Sequence, residues 1–458
     1  MPEMAPAMSR QPRAQKPKIV TQIPGPKSQL LTQREQVGAA PGLQRFAMMA
    51  GISVDHAEGS AITDVDGNTF LDLIGGIGVN GLGHSHPRWK KRMTEQLERV
   101  SVGSFTSEPR VRLFEKLFEN RPTPRLSRFQ LYSSGAEAVE SALRLAKCAT
   151  GRYEVISFWG GFHGKTLGAM SLMGSSGKNG YGPMAPGNFQ VMYADCYRCP
   201  LGLERSNCGT ACAEVAKQQI RQQSSGSVAA VIVEPMQGTA GNIVPPKEFL
   251  PIIQQAAHEM GALFITDEMI TGFGRTGKFW GAEHFGLDPD IVTLGKQFGG
   301  GYPLSAIVTT EKIAQSKPWG EPSGSSSSYG GNPLAAASAL AAIEIIEEEN
   351  LLQNVRSVGE LMLATLKKFE TKYPFVGFVD GAGLFLRVEL VEDKKTKKPL
   401  RSEVCHQLFF ECLNRGLLTM SYAPHFRLQP AMTIDAETAT TALAILDEAF
   451  AVIQKRYF

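Results

Sequence analysis

"ALFITDEMITGFGRTG" (residues 262–277) and "DIVTLGKQFGGG" (290–301) decide the reading of this chain. Each opens with a short run that is almost continuously apolar, as in a strand buried on both faces. Each run ends on a group that burial should disfavour, Asp267 in the first and Lys296 in the second. A carboxylate at the end of a buried strand is costly unless a cation pairs with it. A lysine there is partly desolvated, which lowers its pKa and makes it nucleophilic. The 29 residues from Asp267 to Lys296 leave room for one helical crossover between neighbouring strands.

Similar runs recur on both sides: 128–133, 153–158, 189–194, 228–235 and 304–310. Amphipathic stretches such as "AEAVESALRLAKCA" and "KEFLPIIQQAAHEMG" separate them. This alternation predicts an α/β fold with a mostly parallel, seven-stranded sheet. The last two runs are close together, so one of those strands is expected to be antiparallel. Upstream, "AITDVDGNTFLDLIGGIGV" reads as a hairpin turning at Asp66-Gly67. Its Asp64, Asp66, Asn68 spacing resembles the start of a calcium loop, but the closing glutamate is missing. After "SYGGNPLAAASALAAIEIIEEENLLQNV" the composition shifts, and a long amphipathic helix leads into "FVGFVDGAGLFLRVELV", a strand pair around Gly381. Two further helices follow, forming a smaller α+β unit.

Composition narrows the function. With 47 basic and 44 acidic residues in 458, the charge is too balanced for a nucleic-acid footprint. No apolar run approaches the ~18 residues of a membrane span. The first residues, rich in Pro, Lys and Gln, read as an extended arm rather than a signal peptide. Seven cysteines, an odd number, favour a reducing cytoplasmic setting.

In parallel α/β domains chemistry gathers at the carboxyl ends of strands. After 128–133, Ser134, Gly135 and Ala136 open a helix whose free N–H groups suit a phosphate. After 153–158, "WGGFHGKT" holds Phe162 and His163 between glycines, an aromatic placed to stack on a flat ring. After 228–233, "EPMQGTAG" sets Glu234 and Gln237 at the sheet's mouth. A Schiff-base lysine, a carboxylate for a pyridine nitrogen, an anion cradle and a stacking ring are what pyridoxal 5'-phosphate (PLP) needs.

At this point the chain resembles the class III aminotransferases, PLP enzymes of fold type I. The matching stretches are "DGNTFLDLIGGIGVNGLGHSHP", "SSGAEAVESALRLAK", "GGFHGKT", "EPMQGTAG", "ITDEMITGFGRTGKF", "DIVTLGKQFGGGYP", "SSSSYGGNPLA" and "FRLQPAMTI". They run in family order from about residue 35 onward. The resemblance implies that Lys296 forms the Schiff base and moves the substrate proton. It implies that Asp267 faces the pyridine nitrogen and Phe162 stacks on the ring. Gln237 would address the phenolic oxygen with Glu234 beside it, and Ser134, Gly135 and Ala136 would take the phosphate. Ser328 matches a position, usually Thr, supplied by the second subunit of a homodimer. Arg427 matches an arginine that grips a substrate carboxylate, which its bidentate fork suits.

Three residues depart from the family pattern. Met269 stands where a Val usually covers the ring, and Ala136 lacks a hydroxyl often found there. Thr239 replaces a glutamate that masks the arginine in ornithine- and 4-aminobutyrate-type enzymes, so strict specificity for those substrates is in doubt.

The resulting expectation has an arm over 1–35, a small domain from 36–75 and 331–458, and a PLP-binding large domain over 76–330. The activity is transfer of an amino group from an ω-amino acid or primary amine to pyruvate or 2-oxoglutarate, with ping-pong kinetics. Phe105 and Tyr302 are candidate pocket residues. The alternatives are an amino-acid racemase or epimerase on the same scaffold, a decarboxylating relative, and a non-catalytic metal-binding protein. Cys196, Cys199, Cys208 and Cys212, spaced C-x2-C-x8-C-x3-C, leave a metal site, a disulfide and free thiols open. The loop that holds them is similar to an insertion in archaeal-type members that include racemases.

Overall fold

The computed structural model describes residues 14–458. The seven apolar runs form one sheet of β1 (Leu126–Tyr132), β2 (Glu154–Phe158), β3 (Asn188–Val191), β4 (Val228–Val233), β5 (Leu263–Asp267), β6 (Ile291–Leu294) and β7 (Ser305–Thr310). Their order is β1-β7-β6-β5-β4-β2-β3. Strand β7 is antiparallel to both neighbours, β1 and β6, and the remaining pairs are parallel. The run expected over 189–194 pairs only as far as Val191.

All six residues of β4 are buried, because helices cover both faces of the sheet. Ala230 and Ile232 pack with Val139, Ala142 and Ala146 of helix Gly135–Thr150. Val231 and Val233 face the other way, into a cluster with Ile220, Phe249 and Ile253 of helices Ala211–Gln223 and Phe249–Glu259. The alternation follows from the two-residue period of a strand.

The predicted hairpin is present, with Ala61–Asp64 antiparallel to Thr69–Asp72 and Gly67 at φ 89° in the turn. Its acidic residues work as backbone acceptors. Asp64 Oδ1 accepts from Asn68 N at 2.8 Å. Asp66 accepts from Lys27 N and Ser28 N, each at 2.8 Å, at the start of helix Pro26–Gln36. That helix lies in the expected arm. Residues 1–13 of the arm fall outside the described residues. From Gln15 on, the segment is held down, with Gln15 N donating to Thr438 Oγ1 at 2.9 Å and Lys18 bridging Thr69.

Downstream, one expectation holds and one shifts. The long helix leading into the strand pair is present as Leu351–Lys372, and Asn350, left-handed at φ 51°, separates it from a preceding helix, Pro333–Glu348, that is buried on nearly every face. The strand pair Val376–Ala382 and Phe385–Asp393 turns at Gly383, not Gly381. Strand His425–Leu428 pairs on the other side of Phe385–Asp393, with Arg427 directly across from Arg387 and His425 across from Glu389. Among the described residues no helix is long and apolar enough to cross a membrane.

Candidate active site

The parallel strands deliver their last residues to one end of the sheet. Asp267, the final residue of β5, is buried. Its Oδ2 lies 2.7 Å from His163 Nδ1, and its Oδ1 accepts from Met269 N at 3.1 Å. Burial alone would push the His163 imidazole down. The hydrogen bond and charge of Asp267, with Glu234 beyond, hold it above its ordinary value instead. His163, grouped with the cofactor residues from sequence, is thus the partner that orients Asp267.

Lys296 directly follows Gly295 after β6 and opens the short turn Lys296–Gly299 at φ 47°. A non-glycine residue in that left-handed region carries strain of the kind found at functional sites. Burial pulls its amine below the usual lysine range. Asp267 and Glu234 oppose that shift, and Arg427 adds to it. The charges of Asp267, Glu234 and Arg427 thus all act on this amine.

Glu234 follows β4 directly and ties two loops together. Its Oε1 accepts from Phe162 N at 3.0 Å, and its Oε2 from Gly238 N at 2.9 Å. Burial raises its carboxyl; His163 acts against that shift and Asp267 adds to it. Gln237 Nε2 donates to the Trp159 carbonyl at 2.8 Å, while its buried Oε1 has no partner. Phe162 is half-buried on the glycine loop.

On the opposite side, Ser134 caps helix Gly135–Thr150, its hydroxyl accepting from Glu137 N at 3.3 Å. The N–H groups of Gly135 and Ala136 belong to the first turn, where no intrahelical acceptor exists. Met269 packs against this turn. A Cβ at Gly135 would come within 2.9 Å of its sulfur, and one at Gly295 within 2.5 Å. The site therefore joins an amine, a buried carboxylate, an orphaned amide oxygen and a first-turn anion cradle. This set fits PLP.

Arg427 is half-buried, and burial lowers its pKa. Its Nη1 donates to the Gly238 carbonyl at 3.1 Å, and among the described residues no carboxylate pairs with it. Thr239 is exposed. Ser328 is also exposed, on a loop that packs on Leu131 through Gly330. Within one chain it hydrogen-bonds to none of the other candidate residues. Phe105 is 91% exposed and Tyr302 is half-buried against the core. One chain thus brings together Ser134, Gly135, Ala136, Phe162, His163, Glu234, Gln237, Asp267, Met269, Lys296 and Arg427, but not Ser328 or Phe105.

The profile of the class-III aminotransferase family matches residues 44–450. The chain belongs to this family. A class-III aminotransferase uses PLP, and the neighbouring solved structures carry its forms. The omega transaminase from Pseudomonas jessenii in complex with PMP superimposes with a TM-score of 0.87 at 28% identity, over 93% of this chain and 98% of that one. An amine transaminase from an uncultivated Pseudomonas species, PLP-bound, superimposes with a TM-score of 0.84 at 28% identity, over 90% and 98%. The 5-aminovalerate aminotransferase DavT of Pseudomonas putida is 35% identical, over 88% of this chain and 94% of its own. The leucine/methionine racemase of Thermococcus litoralis is 34% identical, over 89% and 92%.

Two features of this aminotransferase were not legible in its sequence. Arg275, fully buried in "GFGRTG", donates to the Pro430 carbonyl and to Gln297 Oε1, beside Lys296. Burial lowers its pKa to about 10. The second is a charged cluster around Arg387, described below. The four-cysteine loop follows β3, and its thiols are free. They line a small pocket with Asp195, Arg205 and Pro246. Burial pushes the Cys196 thiol up to about 11. Among the described residues no three His, Cys, Asp or Glu side chains are grouped to hold a metal ion.

Proposed function

We propose that this enzyme transfers the amino group of an ω-amino acid or primary amine to pyruvate or 2-oxoglutarate, as a homodimer in the cytoplasm. The observation that carries the reading is the placement of Lys296 and Asp267 at adjacent strand ends, with charges that reach one another. Bound PLP supplies the carbonyl that carries the amino group between half-reactions and a ring that accepts electrons. Lys296, its amine pKa lowered by burial, holds and returns the proton at the substrate carbon. Asp267, oriented by His163, would face the ring nitrogen. Phe162 and Met269 would pack on the ring. Ser134, Gly135 and Ala136 would hold the phosphate, Gln237 would face the phenolic oxygen, and Ser328 would reach the partner's site.

The exposure of Ser328 and Phe105 supports a second subunit covering this face. The large domain is placed over 76–330, and the small domain over 36–75 and 331–458. The test is a panel of amino donors against pyruvate and 2-oxoglutarate. No transfer with any donor, in a protein that binds PLP, would refute the reading.

One observation favours a second reading. Among the described residues Arg427 has no carboxylate partner, and Thr239 carries no charge to pair with it, so an α-carboxylate can occupy it in both half-reactions. A racemase of α-amino acids needs that arrangement. Incubating one enantiomer without any keto acid separates the two, since only a racemase scrambles it.

A further inference from the structure

Arg427 sits on strand His425–Leu428, whose sheet neighbour is Phe385–Asp393. Its position therefore follows that of the neighbouring strand. Opposite residues of an antiparallel pair share a face. Arg387, directly across from Arg427, extends from that face to the loop after β3. It meets Asp195 in a bidentate pair, Nη1 to Oδ1 at 3.0 Å and Nη2 to Oδ2 at 2.9 Å. Its Nε donates to Glu389 Oε1 at 2.9 Å.

Glu389 is fully buried and gathers three partners. Besides Arg387 it accepts from Arg198 Nε at 3.0 Å and meets His425 Nδ1 at 3.0 Å. Arg198 stands between Cys196 and Cys199, and donates as well to the Lys397 carbonyl at 2.7 Å. Beside it, the Tyr197 ring stacks on Phe378 at 4.9 Å and 8°. Asp195 closes its own turn by accepting from Tyr197 N at 3.2 Å. Two guanidinium groups and two carboxylates thus balance at the joint. Among the described residues, Arg427 is left as a cation of the ribbon without a carboxylate partner. A second tie flanks it, Gln429 Nε2 to Asn242 Oδ1 and Asn242 Nδ2 to the Leu386 carbonyl, each 2.9 Å.

We propose that Asp195, Arg387 and Glu389 form a latch between the cysteine loop and the Arg427 ribbon, and that they are positioning residues for recognition of the substrate carboxylate. The latch fixes the strand opposite Arg427 by a planar fork, whose geometry tolerates little displacement. It also occupies Asp195 and Glu389, so neither pairs with Arg427. The proposal rests on the reading of Arg427 as the carboxylate-binding residue.

The test compares acceptors with and without a carboxylate. Arg387→Lys keeps the charge and loses the fork. Steady-state kinetics would be measured with 2-oxoglutarate and with butanal, at a fixed amine donor. The expected result is a KM for 2-oxoglutarate raised about tenfold or more, with that for butanal changed less than about threefold. The absorbance of bound PLP should stay intact. Arg427→Ala is the control. If it leaves the KM for 2-oxoglutarate unchanged, the carboxylate reading itself fails. If it raises that KM while Arg387→Lys does not, or if Arg387→Lys weakens both acceptors equally, the latch is overturned. Asp195→Asn, at a side chain 15% exposed, is the second variant, with the same outcomes. Should neither variant yield a PLP-binding protein, the cluster holds the fold and the positioning role is refuted.

Discussion

Asp267 Oδ2 and His163 Nδ1 meet at 2.7 Å, with about 1% of each side chain exposed. The pair links the loop after β2 to the end of β5. Removing one member of a buried pair leaves the other uncompensated, at a cost of about 3–5 kcal/mol. Asp267→Asn should therefore lower stability. It should also slow the half-reaction with an amine donor by about 10²–10³-fold, the usual effect of deleting a preorganised charge. Single-turnover kinetics check the second effect and urea unfolding the first.

The same pair makes a pH prediction. His163 has its folded pKa raised above the unfolded value near 6.5. Its contribution to stability is full below about pH 6.5 and is lost as pH rises through the folded value. His163→Gln should flatten that part of the stability profile, measured by chemical denaturation from pH 6 to 10.

Glu389 titrates in the opposite sense. Burial would raise its carboxyl, but the His425 hydrogen bond, Arg387 and Arg198 hold it down at about 2. The stability it supplies is present above its unfolded value of 4.5 and disappears as pH falls from there toward 2. Glu389→Gln should unfold less steeply than wild type across that interval, from a lower starting stability.

Met269 fills the space between Gly135 and Gly295. Gly295→Ala should cost about 1–3 kcal/mol by overpacking against its sulfur. Adding Met269→Ala should recover part of that loss. Thermal unfolding of the two single variants and the double gives the coupling; strict additivity would count against the contact.

Lys296 should be the only lysine trapped on PLP by borohydride, with the adduct found by peptide mass. Lys296→Ala should remove the visible absorbance band and leave the fold's circular dichroism unchanged.

What the sequence made legible follows from range. Asp267 and Lys296 stood out because an apolar run and the polar residue ending it are local, and the sheet places strand ends together. The Ser134 turn was readable for the same reason. The latch was not, since Asp195 and Arg387 are about 190 residues apart and each looks like an ordinary surface charge in its own stretch. The role of His163 was hidden likewise, because its partner lies on another strand. Ser328 and Phe105 are exposed because one chain does not bury them.

The short parallel pairing of Leu417–Leu418 with Leu71–Asp72 carries a consequence for biosynthesis. These strands are separated by about 350 residues. At ordinary ribosomal speeds the first emerges on the order of 20–70 s before the second. During that interval the hairpin 61–72 has an unsatisfied edge and an apolar face around Phe70. Nascent chains are then at their most aggregation-prone, and a chaperone that shields that edge should raise the yield of soluble enzyme.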